Sequence, residues 1–164
     1  RLCRELNCDR RVIYNRFRDI EEINLVVAWR CNEELMAKAR AAVNPQESFY
    51  ERFLALIKAA FAYIYEKNAY FQYYTALYRI TDNGVKNEIL QEMMQMIEDG
   101  KAAGDVCAET DSHKAAENIW ILTTGISGML AANRNYRYQD GLSTMLYGVE
   151  AIMSYMKRKK EAEG

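Results

Sequence analysis

The chain has 164 residues, half of them hydrophobic, with 22 basic residues against 23 acidic ones and a single His. That is enough for one core, or for a small head on a larger body, and one Pro and eight Gly argue against a turn-dense all-β fold. No apolar run is long enough to span a bilayer, no signal peptide is visible, and the four scattered Cys lack zinc spacing, so the expected compartment is a reducing cytoplasm.

Residues 1–23 are the most distinctive segment. Leu2 and Leu6 are four apart and flanked by Cys3, which gives one apolar helical face. Asn7 tolerates the left-handed conformation that stops a helix. Asp9 stands where an N-cap belongs, and Val12, Ile13 and Phe17 give the next short helix its apolar positions. Asp19, followed three residues later by Glu22, reads as a capping box opening a third helix. Two short helices with a tight turn between them fit the last two helices of a helix-turn-helix, with the motif's first helix missing from the chain. Residues 1–18 carry six Arg against two acidic residues, a net of +4, while the remainder carries 16 basic against 21 acidic residues, a net of −5. Positive charge gathered at one end suggests an anion-binding surface, although a solvated Arg-rich helix face has the same composition.

On these residues the segment resembles the second half of a TetR-family (tetracycline-repressor-like) DNA-binding domain. Leu6, Ile13, Tyr14, Phe17, Glu21 or Glu22, and Ile23 match that family's pattern in register. Asn7 replaces the turn Gly, Arg16 replaces the usual His or Tyr, and Ile20 replaces a Lys that often touches a phosphate, a contact Arg18 could take over. The resemblance implies a DNA-binding surface of Arg10, Arg11, Tyr14, Asn15, Arg16 and Arg18. Tyr14 and Arg18 would contact phosphate. Arg10 and Arg11 would face the groove, where Arg can bind guanine bidentately, and Asn15 would read a base edge or a phosphate.

Downstream, a long helix is expected from Ile20 to Val43, linking head and body and broken at Asn44-Pro45. A second runs from Gln46 to Lys67, with Phe49, Phe53, Leu56, Ile57, Ala60 and Ile64 as its apolar stripe. A Tyr-rich segment from Ala69 to Ile80 and a turn over Thr81–Gly84 follow. Further helices are expected over Val85–Ala103, from Asp111 or Ser112 to Asn133, and over Gly141–Lys160. Gly125 and Gly128 would permit close approach of a neighbouring backbone. The fold class is therefore all-α: a truncated helix-turn-helix head, residues 1–23, on a helical ligand-binding and dimerisation body, residues 24–164.

Residues 98–130 also resemble the family's late segment, which implies that the last two helices pair with those of a second subunit. The seam expected there is Ile119, Leu122, Ile126, Met129, Leu142, Met145, Val149, Ile152 and Met156; packing within one chain would give similar stripes. The aromatic load of the body suggests a pocket for a small-molecule effector, with Trp29, Tyr63, Tyr70, Tyr74, Met93, Trp120 and Thr123 as candidate lining, against the plain alternative that these pack the core. The expected function is a DNA-binding transcriptional regulator, a homodimeric repressor released from a double-stranded operator by its inducer. No cofactor and no metal is expected. A helical adaptor that binds protein through its Tyr-rich face is the alternative. An all-α enzyme ranks behind it, because His113 is the only His and no phosphate-cradling loop, nucleophile elbow or zincin motif occurs.

Overall fold

A computed structural model of the chain describes residue 7 and residues 9–67, 88–133 and 135–158. Those residues form six α-helices and no strand, as the sequence leads one to expect. They are α1 (Arg10–Tyr14), α2 (Ile20–Ala41), α3 (Phe49–Glu66), α4 (Glu88–Ala102), α5 (Ser112–Ala132) and α6 (Tyr138–Arg158). The Tyr-rich segment and the Thr81–Gly84 turn lie outside the described residues.

Helix α3 is the centre of the body and packs against α2, α4, α5 and α6. It starts at Phe49, the first residue of its apolar stripe and three residues later than the expected Gln46. Asn44 opens a turn instead, its carbonyl accepting from Glu47 N at 3.1 Å and its side chain from Gln46 N at 3.1 Å. Ser48 then caps the helix in a reciprocal capping box with Glu51. Phe49, Phe53, Leu56, Ile57, Ala60, Phe61 and Ile64 are all buried. Leu35, Met36 and Ala39 of α2, Ile89, Met93 and Ile97 of α4, Ala116 and Ile119 of α5, and Met145, Val149 and Met156 of α6 close around that stripe. Burial of these apolar side chains is what holds the bundle.

Two glycines of α6 let α5 lie close. A Cβ at Gly141 would stand 2.9 Å from Leu130 Cδ1 and 3.2 Å from Ile126 Cγ2, and one at Gly148 would stand 2.5 Å from Leu122 Cδ2. Gly141 is therefore an interior packing position. The helix begins three residues before it, at Tyr138, whose ring stacks on Phe61 at 5.7 Å. Among the described residues, none makes the close approach expected at Gly125 and Gly128: nothing lies within 4 Å of a Cβ built at either.

The α4–α5 connection is pinned by similar means. Gly104 has φ 78°, the left-handed conformation that ends α4, and Asp105 N and Val106 N both donate to Gly100 O. Gly100 is pressed against Val106 and the Phe49 ring. Tyr50 hydroxyl donates to Asp105 O at 3.0 Å, and Cys107 N donates to Met156 O at 3.1 Å. Asp111 caps α5 by accepting from Lys114 N at 3.0 Å, the position expected from sequence.

Candidate nucleic-acid interface

The head is short and exposed. Asn7 has φ 47°, the left-handed conformation read from its side chain. Asp9 caps α1 and accepts from Arg11 N at 3.0 Å. Helix α1 stops at Tyr14, because Asn15 N already donates to Arg11 O as the C-cap and Arg16 N and Phe17 N both turn back onto Ile13 O. Asn15, Arg16 and Arg18 thus follow the helix instead of lying on it. Arg11, Asn15, Arg16 and Arg18 are exposed, as is Tyr14 at 71 %. The side chain of Arg10 lies outside the described residues. Ile13 and Phe17 are half-buried, in keeping with packing roles.

Arg18 already has an anion. Its Nε lies 3.0 Å from Asp19 Oδ2, and that hydrogen bond raises the guanidinium pKa. Asp19 caps α2 by accepting from Glu22 N at 2.9 Å, and the bond holds its carboxyl below the usual range. The expected box is modified here: Glu22 carboxylate accepts from Arg18 N at 2.6 Å, one residue before the cap. A phosphate contact from Arg18 would compete with Asp19.

The residues proposed to line an effector pocket are scattered. Trp29 is 58 % exposed on α2, with Leu25 and Val26 exposed beside it. Tyr63 is buried, and its hydroxyl donates to Glu34 at 3.1 Å. Burial, then the neighbouring Cys31 and Glu34, push its pKa up, while Lys38 Nζ lies 5.4 Å from its ring centroid. Tyr63 therefore ties α3 to α2. Met93 is core. Thr123 is buried with its hydroxyl committed to Ile119 O at 2.7 Å, and Trp120 is half-buried against the core. Tyr70 and Tyr74 lie outside the described residues. A half-open groove of about 580 Å³ lies elsewhere, between the start of α5 and the end of α6. Asp111, Lys114 and Asn118 form one side and Ala151, Ile152 and Tyr155 the other.

Most of the expected dimer seam is covered within the single chain. Ile119, Ile126, Met145, Val149 and Met156 are closed inside the monomer, because the face of α5 and α6 they share meets α3 and α4. Leu122, Leu142 and Ile152 are half-buried, and of the nine only Met129, at 57 %, is exposed. The outer face carries a different stripe. Ile121 is 59 % exposed, and Gly125 and Met129 follow it at four-residue steps on α5. Tyr147, Ala151 and Tyr155 repeat that spacing on α6, with Tyr147 at 80 % and Tyr155 at 64 % exposed. Asn118, Ala151 and Tyr155 line the groove, so both stripes continue from its two sides. The four-residue spacing was visible in sequence, but the more hydrophobic seam masked it.

Among the described residues, no group of three or more His, Cys, Asp and Glu could hold a metal ion, and no helix is long and apolar enough to cross a membrane. His113 is an exposed residue 3.9 Å from Glu117.

Comparison with known proteins adds the fold. The structure superposes on that of a protein with unknown function from Rhodococcus sp. RHA1, with a TM-score of 0.77 at 17 % identity. The match covers 94 % of this chain and 82 % of that one, so the two share an all-helical architecture. No family model matches the chain, and no curated protein matches it.

Proposed function

We propose that the protein is a DNA-binding transcriptional regulator of TetR type, a repressor acting on an operator in the cytoplasm and released by a small molecule bound in the helical body. The observation that carries this reading is the head: a capped, Arg-bearing helix with Arg11, Tyr14, Asn15 and Arg16 all exposed at the end of a helix that leads into the body. Cationic and hydrogen-bonding side chains presented together are what phosphate and base-edge contacts need.

The same reading assigns the outer face of α5 and α6 to a second copy of the chain. Ile121, Met129, Tyr147 and Tyr155 stand proud of that face, while Gly125 and Gly128 leave open space into which a facing side chain fits. A two-fold dimer would present two heads, so its operator should be palindromic with half-sites one helical turn or a multiple apart. The effector must bind one head spacing more tightly than the other, since equal affinity shifts nothing.

Selection of genomic fragments on the protein as its gene encodes it, followed by sequencing, tests this reading. Enrichment of a two-fold symmetric site supports it. Recovery of DNA without sequence preference contradicts it.

A further inference from the structure

Between Asp9 and Val27 no described side chain is buried, and the first buried residue of α2 is Ala28. The eight residues from Ile20 to Val27, about 12 Å of helix at 1.5 Å per residue, thus form a stalk with no fully buried side chain, in which Glu22, Ile23, Asn24 and Val27 are half-buried. Among the described residues, helix α1 has at most marginal contact with any body helix. The head joins the stalk through the residues at the stalk's outer end.

Those residues close on one another in a ring. Asp19 Oδ1 accepts from Glu22 N at 2.9 Å, Glu22 Oε2 accepts from Arg18 N at 2.6 Å, and Arg18 Nε donates to Asp19 Oδ2 at 3.0 Å. Two of the three bonds hold backbone amides, so they fix main-chain direction as well as side-chain position. Asp19 itself is extended, with φ −155° and ψ −179°, between the turn that ends α1 and the first turn of α2. Leu25 and Val26 on the stalk, and Trp29 just beyond it, are exposed.

We propose that the Arg18–Asp19–Glu22 ring is a joint that fixes the angle between the head and α2, with Arg18 a positioning residue. Its use, holding two reading heads at one separation, rests on the function proposed above; the joint itself does not.

Spin labels carried on non-natural residues at Asn15 and Lys58, both exposed, report the head-to-body distance in the full chain. The unsubstituted ring should give one narrow distribution. Asp19→Asn keeps an N-cap acceptor for Glu22 N and should stay narrower than Asp19→Ala, which removes both bonds and should lose the single peak. Glu22→Ala opens the ring from its other side and should broaden the distribution too, which guards against a folding defect specific to position 19. Unchanged distributions in both Ala variants, with helix content intact, would overturn the joint. Operator binding measured on the unlabelled chain, with Asn15 in place, separates the two ideas: absence of binding there removes the proposed function and leaves the distance result standing.

Discussion

The most sharply constrained residue positions are those where a neighbour leaves no room. Gly100 is one: Val106 Cγ2 lies 2.8 Å and the Phe49 ring 2.9 Å from where its Cβ would be. Gly100→Ala should destabilise the protein by about 1–3 kcal/mol through overpacking, read from denaturant midpoints. Phe53, fully buried at the middle of the core, should lose about 3–5 kcal/mol on truncation to Ala. Asn7 and Asp9 show how much single residues can reveal before any coordinates, since a left-handed stop and an N-cap are each local chemistry. Trp29 shows the opposite. A large aromatic on a helix reads as buried, yet Trp29 is exposed on α2, and burial is a property of what the rest of the chain brings near.

At the scale of elements, the ends of the helices are set by side-chain acceptors. Ser48→Ala breaks the box at the start of α3 and should cost about 1 kcal/mol in thermal or chemical unfolding. Five carboxyls at or beside helix ends are held below their usual range, Asp140 among them through its hydrogen bonds with Arg137. Asp19 is lowered first by the Glu22 amide, Asp111 by the Lys114 amide, Glu51 by the Ser48 hydroxyl and Glu98 by the Ser112 hydroxyl. A carboxyl whose pKa is lower in the folded chain contributes stability above its unfolded value and loses it as pH falls through the folded value. Denaturant midpoints should therefore be insensitive to these groups at neutral pH and fall progressively below about pH 4. A midpoint that rises on acidification would contradict that assignment.

Helix existence was legible from apolar spacing, and the Asp111 cap was legible from composition. Two starts differ from expectation. Ser48 with Glu51 sets α3 three residues after the expected Gln46, and Tyr138 stacked on Phe61 sets α6 three residues before Gly141. Gly141, expected as the first residue of that helix, is a packing contact within it. Tertiary neighbours decided the α6 start, whereas the Ser48-x-x-Glu51 box that opens α3 is local and stood in the sequence.

At the scale of the molecule, the all-α class follows from helical periodicity along most of the chain, whereas the surface used between molecules does not. The most hydrophobic seam of α5 and α6 is the one closed inside the monomer, through Ile119, Met145 and Val149. The proposed dimer face is the weaker stripe that remains outside. Replacing Gly125 with Leu should leave the monomer fold intact, because a Cβ there meets open space, and should shift the protein toward monomer in sedimentation velocity. An unchanged oligomeric state would remove that face from the account.

The central claim is that exposed Arg11, Tyr14, Asn15 and Arg16 hold operator DNA. Titration of the gene-encoded protein against labelled DNA flanking its own gene, repeated over a range of salt concentrations, tests it most directly. The account predicts sequence-selective binding whose log affinity falls linearly with log salt, with the slope reduced by about one per head in Arg16→Ala. Binding that is absent at low salt, or equal for the flanking DNA and an unrelated duplex, would contradict it.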